Sequence, residues 1–423
     1  MSHIKMAQPP PATSILQLLT HPNPLIRHQK PKGKTNSRSL IWYYPRQMRK
    51  WEEFEDVNIL KTIFGGRLLR EACQGNRALR PFPFLHPQVD CIVCDESDTR
   101  DVINKWNKTV VTAALDPIQH IFHPVIWSKG NSPKDKQKTP LPPAKQEQRR
   151  CQPPRRSSLH ARQPRSHSLS RLQPDSGSVA WTPLSPEGGI MANASRQERF
   201  PKEYKPSTKW KSESFLKGGF LDDSGAFERG KTSDNLAWPI RQAFTYCIQH
   251  MCRYGCIITC EEAFIFRIMP REGEPRNCTQ DTSKLKQELI NNGLMEYISI
   301  PWDNHSEMDR NSVDVWTVNL ALWFVHILAG NNFEASWSYI NLADEALVLS
   351  QAVQSCTESP SASSISVEDP EDERGQRIDE VDSAEDSDTT NPNTPSELKR
   401  KRESDDEDEE EGFNLSFSKR QNI

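Results

Sequence analysis

Glu203, Tyr204 and Lys205 form a triplet whose outer members could act together. Side chains alternate along an extended strand, so an acid and a lysine two positions apart share one face. A second carboxylate from a neighbouring strand would complete a site for phosphodiester hydrolysis. There carboxylates hold Mg2+, the metal makes hydroxide available near neutral pH, and the lysine steadies developing charge. The candidate second carboxylate is Asp90, which ends the step Pro87-Gln88-Val89-Asp90. Downstream, Gln242 and Tyr246 stand four positions apart in a segment of helical period, and so occupy one helix face.

The elements that must position these residues are legible in the patterning. Order is expected to begin at Ser39, with a strand-like aromatic run over residues 39–44. Phe54, Val57, Ile59, Leu60, Ile63 and Phe64 recur at helical spacing until Gly65-Gly66 interrupts them. Residues 89–94 read as a strand, and residues 108–115 as a second strand or a short buried helix. A helix is predicted over 236–251, then a hairpin from 256–260 and 263–269 after the turn at Arg253-Tyr254-Gly255. Residues 294–300 read as another strand. The run 313–328 is apolar on nearly all sides, which predicts a buried helix too short to span a bilayer. A last helix is expected over 341–353.

Composition divides the chain. Hydrophobic residues make up 35% of the 423, and prolines (32) outnumber glycines (18), so one sizeable core and long solvated stretches are expected. Residues 1–38 are Pro-rich and aperiodic, and are expected to be a long disordered N-terminus. Residues 39–127 and 199–354 form the two parts of one core, with 128–198 as a basic low-complexity insertion. That insertion is either a functional basic segment or non-coding sequence retained in the gene model. Residues 355–423 form a disordered acidic tail carrying a basic cluster. From Ser128 to Gln173 there are twelve Lys/Arg against two acids, and from Glu368 to Glu411 twenty acids against six Lys/Arg. The net charge of -3 therefore conceals two opposed segments. No secretory leader or membrane span is expected, and the ten cysteines fit no secreted disulfide framework. Buried reduced thiols are expected, because Cys91 and Cys94 would face opposite sides of a strand. His326 and Asn319 share a helix face and are expected to pair in the core.

With Asp90, Glu203-x-Lys205, Gln242-x-x-x-Tyr246 and Arg253-Tyr-Gly-Cys-Ile-Ile-Thr259, the chain resembles the PD-(D/E)xK nuclease-like superfamily. Within it, the chain is similar to a group of filamentous-fungal proteins in which an E-x-K strand precedes a helix bearing Gln and Tyr. The resemblance covers about half the chain. It implies a restriction-endonuclease-like α/β (α+β) fold, a mixed sheet flanked by helices, with Asp90 and Glu203 binding Mg2+. It further implies that Lys205 orients or activates water, that Gln242 and Tyr246 contact the nucleic-acid backbone or brace the site, and that Glu71 stands where some members carry a helical acid. The gap from Asp90 to Glu203 is longer than the family's usual spacing, and Pro206 ends the strand directly after Lys205. The nuclease-like core is expected in either an active or a degenerate form.

Two features beyond the core bear on partners. The basic insertion could neutralise phosphates of nucleic acid without sequence preference. Lys399-Arg-Lys-Arg402 beside an acidic tract has the look of a nuclear-import cluster, so nuclear location is expected, with cytoplasmic as the alternative. The acidic tail suits basic nuclear proteins. The competing reading is accordingly a non-enzymatic nuclear interaction protein that uses its basic insertion and acidic tail.

Overall fold

The computed structural model describes residues 11–29, 35–130, 173–180, 198–270, 282–306, 313–331 and 341–347. All of them fall in one unit, residues 1–360. The expectations for the acidic tail and its basic cluster lie outside the described residues.

Nine strands are described: β1 (Arg27–His28), β2 (Gln47–Lys50), β3 (Ile92–Val93), β4 (Val125–Lys129), β5 (Ser176–Ala180), β6 (Lys202–Tyr204), β7 (Tyr254–Ile258), β8 (Glu262–Met269) and β9 (Leu294–Pro301). Seven of them form one mixed sheet in the order β2-β9-β8-β7-β6-β5-β4. β6 lies parallel to β7, and β2 parallel to β9, while the other neighbours are antiparallel. β1 and β3 make a separate two-stranded parallel pair.

The helices are α1 (Ile15–Thr20), α2 (Glu52–Glu55), α3 (Ile59–Thr62), α4 (Arg67–Cys73), α5 (Glu96–Lys105), α6 (Asn107–Leu115), α7 (Gln119–Phe122), α8 (Ser212–Lys217), α9 (Trp238–His250), α10 (Thr282–Asn292) and α11 (Val318–Asn331). They cover both faces of the sheet, which explains why its central strands are apolar rather than alternating. On one face α1, α4, α6 and α11 pack against Tyr204, Tyr254, Cys256 and Ile258. On the other, α8, α9 and α10 pack against Ile257, Phe264, Phe266 and Ile268. α11 is the all-apolar helix expected from 313–328, and 13 of its residues are buried. Among the described residues no helix is long and apolar enough to cross a membrane. The mixed α/β sheet flanked by helices agrees with the expected class.

Several local expectations are corrected. Residues 11–28 are not structureless: α1 buries Ile15, Leu16, Leu18 and Leu19 in the core, capped by Ser14, whose side chain accepts from Gln17 N. The aromatic run at 39–44 is irregular, and the strand follows at Gln47–Lys50. Of the two readings given for residues 108–115 the buried helix is the one found, whereas the expected helix at 341–353 is a short 3-10 turn at Leu342–Asp344 within the described part. The segment 128–198 is no simple insertion, because its residues 176–180 are β5, bonded to both β4 and β6. His326 does not pair with Asn319. It pairs with Ser178 Oγ at 3.1 Å, while Asn319 accepts from Asn107 at 2.8 Å.

Candidate metal centre

Strand β6 is only three residues long, yet it sets the whole site. Its partners in β7 are Lys202↔Cys256, Glu203↔Ile257 and Tyr204↔Ile258. Alternation therefore turns Lys202 and Tyr204 towards α11, and Glu203 towards α9. Lys205 continues the backbone pairing, its N–H donating to Ile258 O at 3.1 Å. Pro206 has no N–H to give and stands where the strand ends.

Glu203 and Lys205 are 2% and 1% exposed, and Lys205 Nζ donates to Glu203 Oε1 at 2.5 Å. The same ammonium reaches Glu96 Oε1 at 3.4 Å. Glu96 is the first residue of α5, a place fixed by Asp95, whose side chain caps the helix by accepting from Ser97 N and Asp98 N. The third acid is Asp175, immediately before β5. Its Oδ2 accepts from Tyr204 N at 2.9 Å, and Arg100 from α5 meets its Oδ1 at 2.5 Å. One oxygen each from Glu96, Asp175 and Glu203 lies within 4.8 Å of the others, a group able to hold a metal ion.

The electrostatics follow from crowding three acids around one lysine, with Glu203 and Lys205 buried and Glu96 and Asp175 partly exposed. Burial pushes the Glu203 carboxyl up to about 8, the Lys205 charge opposes this, and Asp175 and Glu96 add to it. Burial and the Glu203 charge push the Tyr246 phenol up as well. Lys205 is held above its usual range, because attraction to Glu203 and Glu96 outweighs its burial.

Gln242 and Tyr246 come down onto this cluster from α9. Gln242 Nε2 donates to Tyr246 Oη at 2.8 Å, and the phenol donates to Gln173 O at 3.0 Å, two residues before Asp175. Glu203 Oε2 and Gln242 Oε1 are buried without a well-formed hydrogen bond among the described residues, although the Tyr246 phenol stands against the Glu203 carboxylate. Unsatisfied buried acceptors are costly. Here they accompany three hard oxygen donors, a set that suits Mg2+ or Mn2+ rather than a thiophilic metal. The residues fit the expected ion.

Four of the six residues expected from sequence therefore act as one group: Glu203, Lys205, Gln242 and Tyr246. Asp90 and Glu71 do not join it. Asp90 accepts from Lys105 Nζ and from His86 N, which hold its carboxyl below the usual carboxylate range. Glu71 on α4 is paired with Arg77 at 2.7 Å. The two missed acids are Asp175 and Glu96. The available signals were the Pro174-Asp175-Ser-Gly step before a short strand and the helix-capping Asp95 directly before Glu96. No metal-ligating group of three that includes cysteine or histidine occurs among the described residues. The buried cysteines 247, 252, 256 and 260 are free thiols, all raised by burial.

No family model, no curated protein and no solved structure matches this chain. What fold and site define is a mixed α/β protein with a cluster of three acids and a lysine, of which Glu203 and Lys205 are buried and Glu96 and Asp175 partly exposed.

Proposed function

We propose that the chain is a metal-dependent phosphodiesterase acting on nucleic acid, with a core of restriction-endonuclease-like type. The observation that carries this reading is the convergence of Glu96, Asp175 and Glu203 around Lys205. On this reading Asp175, directly before β5, takes the role that the resemblance gives Asp90, Glu96 at the start of α5 takes that of Glu71, and Glu203 and Lys205 keep theirs.

Asp175, Glu203 and Glu96 would hold Mg2+, which when bound supplies Lewis-acid stabilisation of charge and a more acidic water. Lys205 is charged at every physiological pH and reaches two of the three acids, so it is placed to orient a water or to stabilise an oxyanion. Tyr246 and Gln242 close the α9 side and brace the backbone at Gln173. Gly130 and Gln173, which flank the basic segment in sequence, meet through Gln173 Nε2 and Gly130 O. The twelve Lys/Arg against two acids from Ser128 to Gln173 support a polyanionic substrate. Nuclear location, suggested by Lys399–Arg402, belongs to the same reading.

The test is cleavage of supercoiled plasmid, single-stranded DNA and RNA in Mg2+ or Mn2+ by wild type, Asp175→Asn and Asp90→Asn. Metal-dependent cleavage by wild type and Asp90→Asn, lost in folded Asp175→Asn, supports the proposal. Nucleic-acid binding without cleavage by wild type would leave a degenerate site or an interaction protein.

A further inference from the structure

A second buried group on β6 is not used by the acid cluster. Lys202 is fully buried on the opposite face from Glu203. Its Nζ donates to Gly177 O at 3.2 Å, Ser178 Oγ at 2.5 Å and Phe200 O at 3.1 Å. The ammonium also lies over the rings of Trp127 (4.6 Å) and Phe200 (4.3 Å). Ser178 continues the chain to His326 Nε2, whose ring offers its other nitrogen to Leu322 O at 2.6 Å. Burial keeps His326 neutral, which matches Nδ1–H donating and Nε2 accepting. Lys202 thus ties β6 through β5 to α11.

This tie matters because β5 is otherwise thinly attached to β6. The ladder between them has one register pair, Ser176↔Lys202. Other links are the bridge Val179↔Glu198, the bond from Arg199 N to Ser178 O at 2.8 Å, Glu198 Oε1 accepting from Ser178 N at 2.5 Å, and, at Asp175 itself, the bond from Tyr204 N at 2.9 Å. Gly177 is closed against the same carboxylate, and a Cβ there would stand 1.9 Å from Glu198 Oε2. Asp175 lies one residue before β5, so its place beside Glu203 depends on where β5 is held.

We propose that Lys202 is a positioning residue: by fixing Gly177 and Ser178 of β5 on β6 it holds the Asp175 carboxylate against Glu203. The proposal rests on the acid cluster being a metal site, and it assigns Lys202 no contact with substrate or metal. Its consequence is that metal affinity depends on a lysine on the far face of the sheet.

The experiment measures Mn2+ binding calorimetrically for wild type, Lys202→Met, Ser178→Ala, Asp175→Asn and the Lys202→Met/Asp175→Asn double variant. Circular dichroism checks that each is folded. Hydrogen exchange at the Tyr204 amide, which donates to Asp175, is followed without metal. An apolar side chain of similar length can replace a buried charge without loss of fold. Loss of a group that orients a ligand costs about 10- to 100-fold in metal affinity. Lys202→Met is expected to lose that much, to speed Tyr204 exchange, and to add nothing to the loss in Asp175→Asn. Ser178→Ala, which deletes one acceptor, is read in the same way if Lys202→Met does not fold, with a smaller loss expected. Unchanged Tyr204 protection with wild-type affinity, or losses from Lys202→Met and Asp175→Asn that simply add, would overturn the proposal. If wild type binds no Mn2+, the metal reading fails by itself and Tyr204 exchange alone decides whether Lys202 positions Asp175.

Discussion

Metal binding at this site must be coupled to a proton, and Glu203 sets the size of the coupling. Its carboxyl is pushed up to about 8 by burial, with Asp175 and Glu96 adding to the effect against the Lys205 charge. A metal takes the carboxylate form, so below that pH binding expels a proton from Glu203. From pH 6 to pH 8 the Mn2+ affinity should rise about 50-fold, or about 2.3 kcal/mol, and level off above pH 9. The assay is isothermal titration at each pH in buffers of different ionisation enthalpy, which counts the protons released. About one proton per Mn2+ is expected at pH 6.5 and about half of one at pH 8. Glu203→Gln should abolish this release, because it removes the carboxyl that burial pushes up. An affinity flat across that range with no proton released would refute the electrostatics, and so would release that persists in Glu203→Gln.

Further expectations follow from the same geometry. Lys205→Met removes a cation that reaches both Glu203 and Glu96. It should lower the stability of the metal-free protein by about 3 kcal/mol in chemical denaturation, at the low end for a broken buried pair because Glu203 can keep its proton. It should also abolish cleavage while sparing Mn2+ binding. Asp90→Asn should leave Mn2+ affinity within about twofold of wild type by calorimetry, because that carboxylate is committed to Lys105 and His86. The stability of the metal-free protein should depend on pH in two opposed ways. The folded-state value of Glu203 is raised, so its contribution is full below about 4.5 and is lost as pH rises through about 8. Lys202 is pulled down to about 7 by burial, so its contribution is present above about 10.5 and is lost as pH falls through about 7. Denaturation midpoints measured from pH 4 to 10 should therefore fall first and then rise, and Lys202→Met should flatten the rise.

The lysine, its partner acid and the α9 pair were legible because each is a local pattern. Glu203-x-Lys205 needs only strand alternation, and Gln242-x-x-x-Tyr246 only a helical turn. The apolar strands β7, β8 and β9 and the buried α11 were legible because covered elements carry long hydrophobic runs. Asp175 was hidden because β5 reads Ser-Gly-Ser-Val-Ala, a short strand with little hydrophobic signal, beside a basic low-complexity stretch. Its strand character comes from pairing with β4, which is far away in sequence, and from the Lys202 and Glu198 contacts. Tertiary pairing of this kind overrides local propensity. Glu96 was hidden among the acids of Asp95-Glu96-Ser97-Asp98, where only the cap geometry singles it out. Asp90 was attractive because it follows a proline step, yet Lys105 on α5 already claims it. Asp175 also lies much nearer to Glu203 in sequence than Asp90 does.

The most direct measurement is the location of Mn2+ by its anomalous scattering in crystals of the wild-type protein. The expected result is an ion bonded to Asp175 and Glu203, with Glu96 beside it and Lys205 facing it. An ion bound at Asp90 or elsewhere, or an empty cluster at saturating Mn2+, would contradict it.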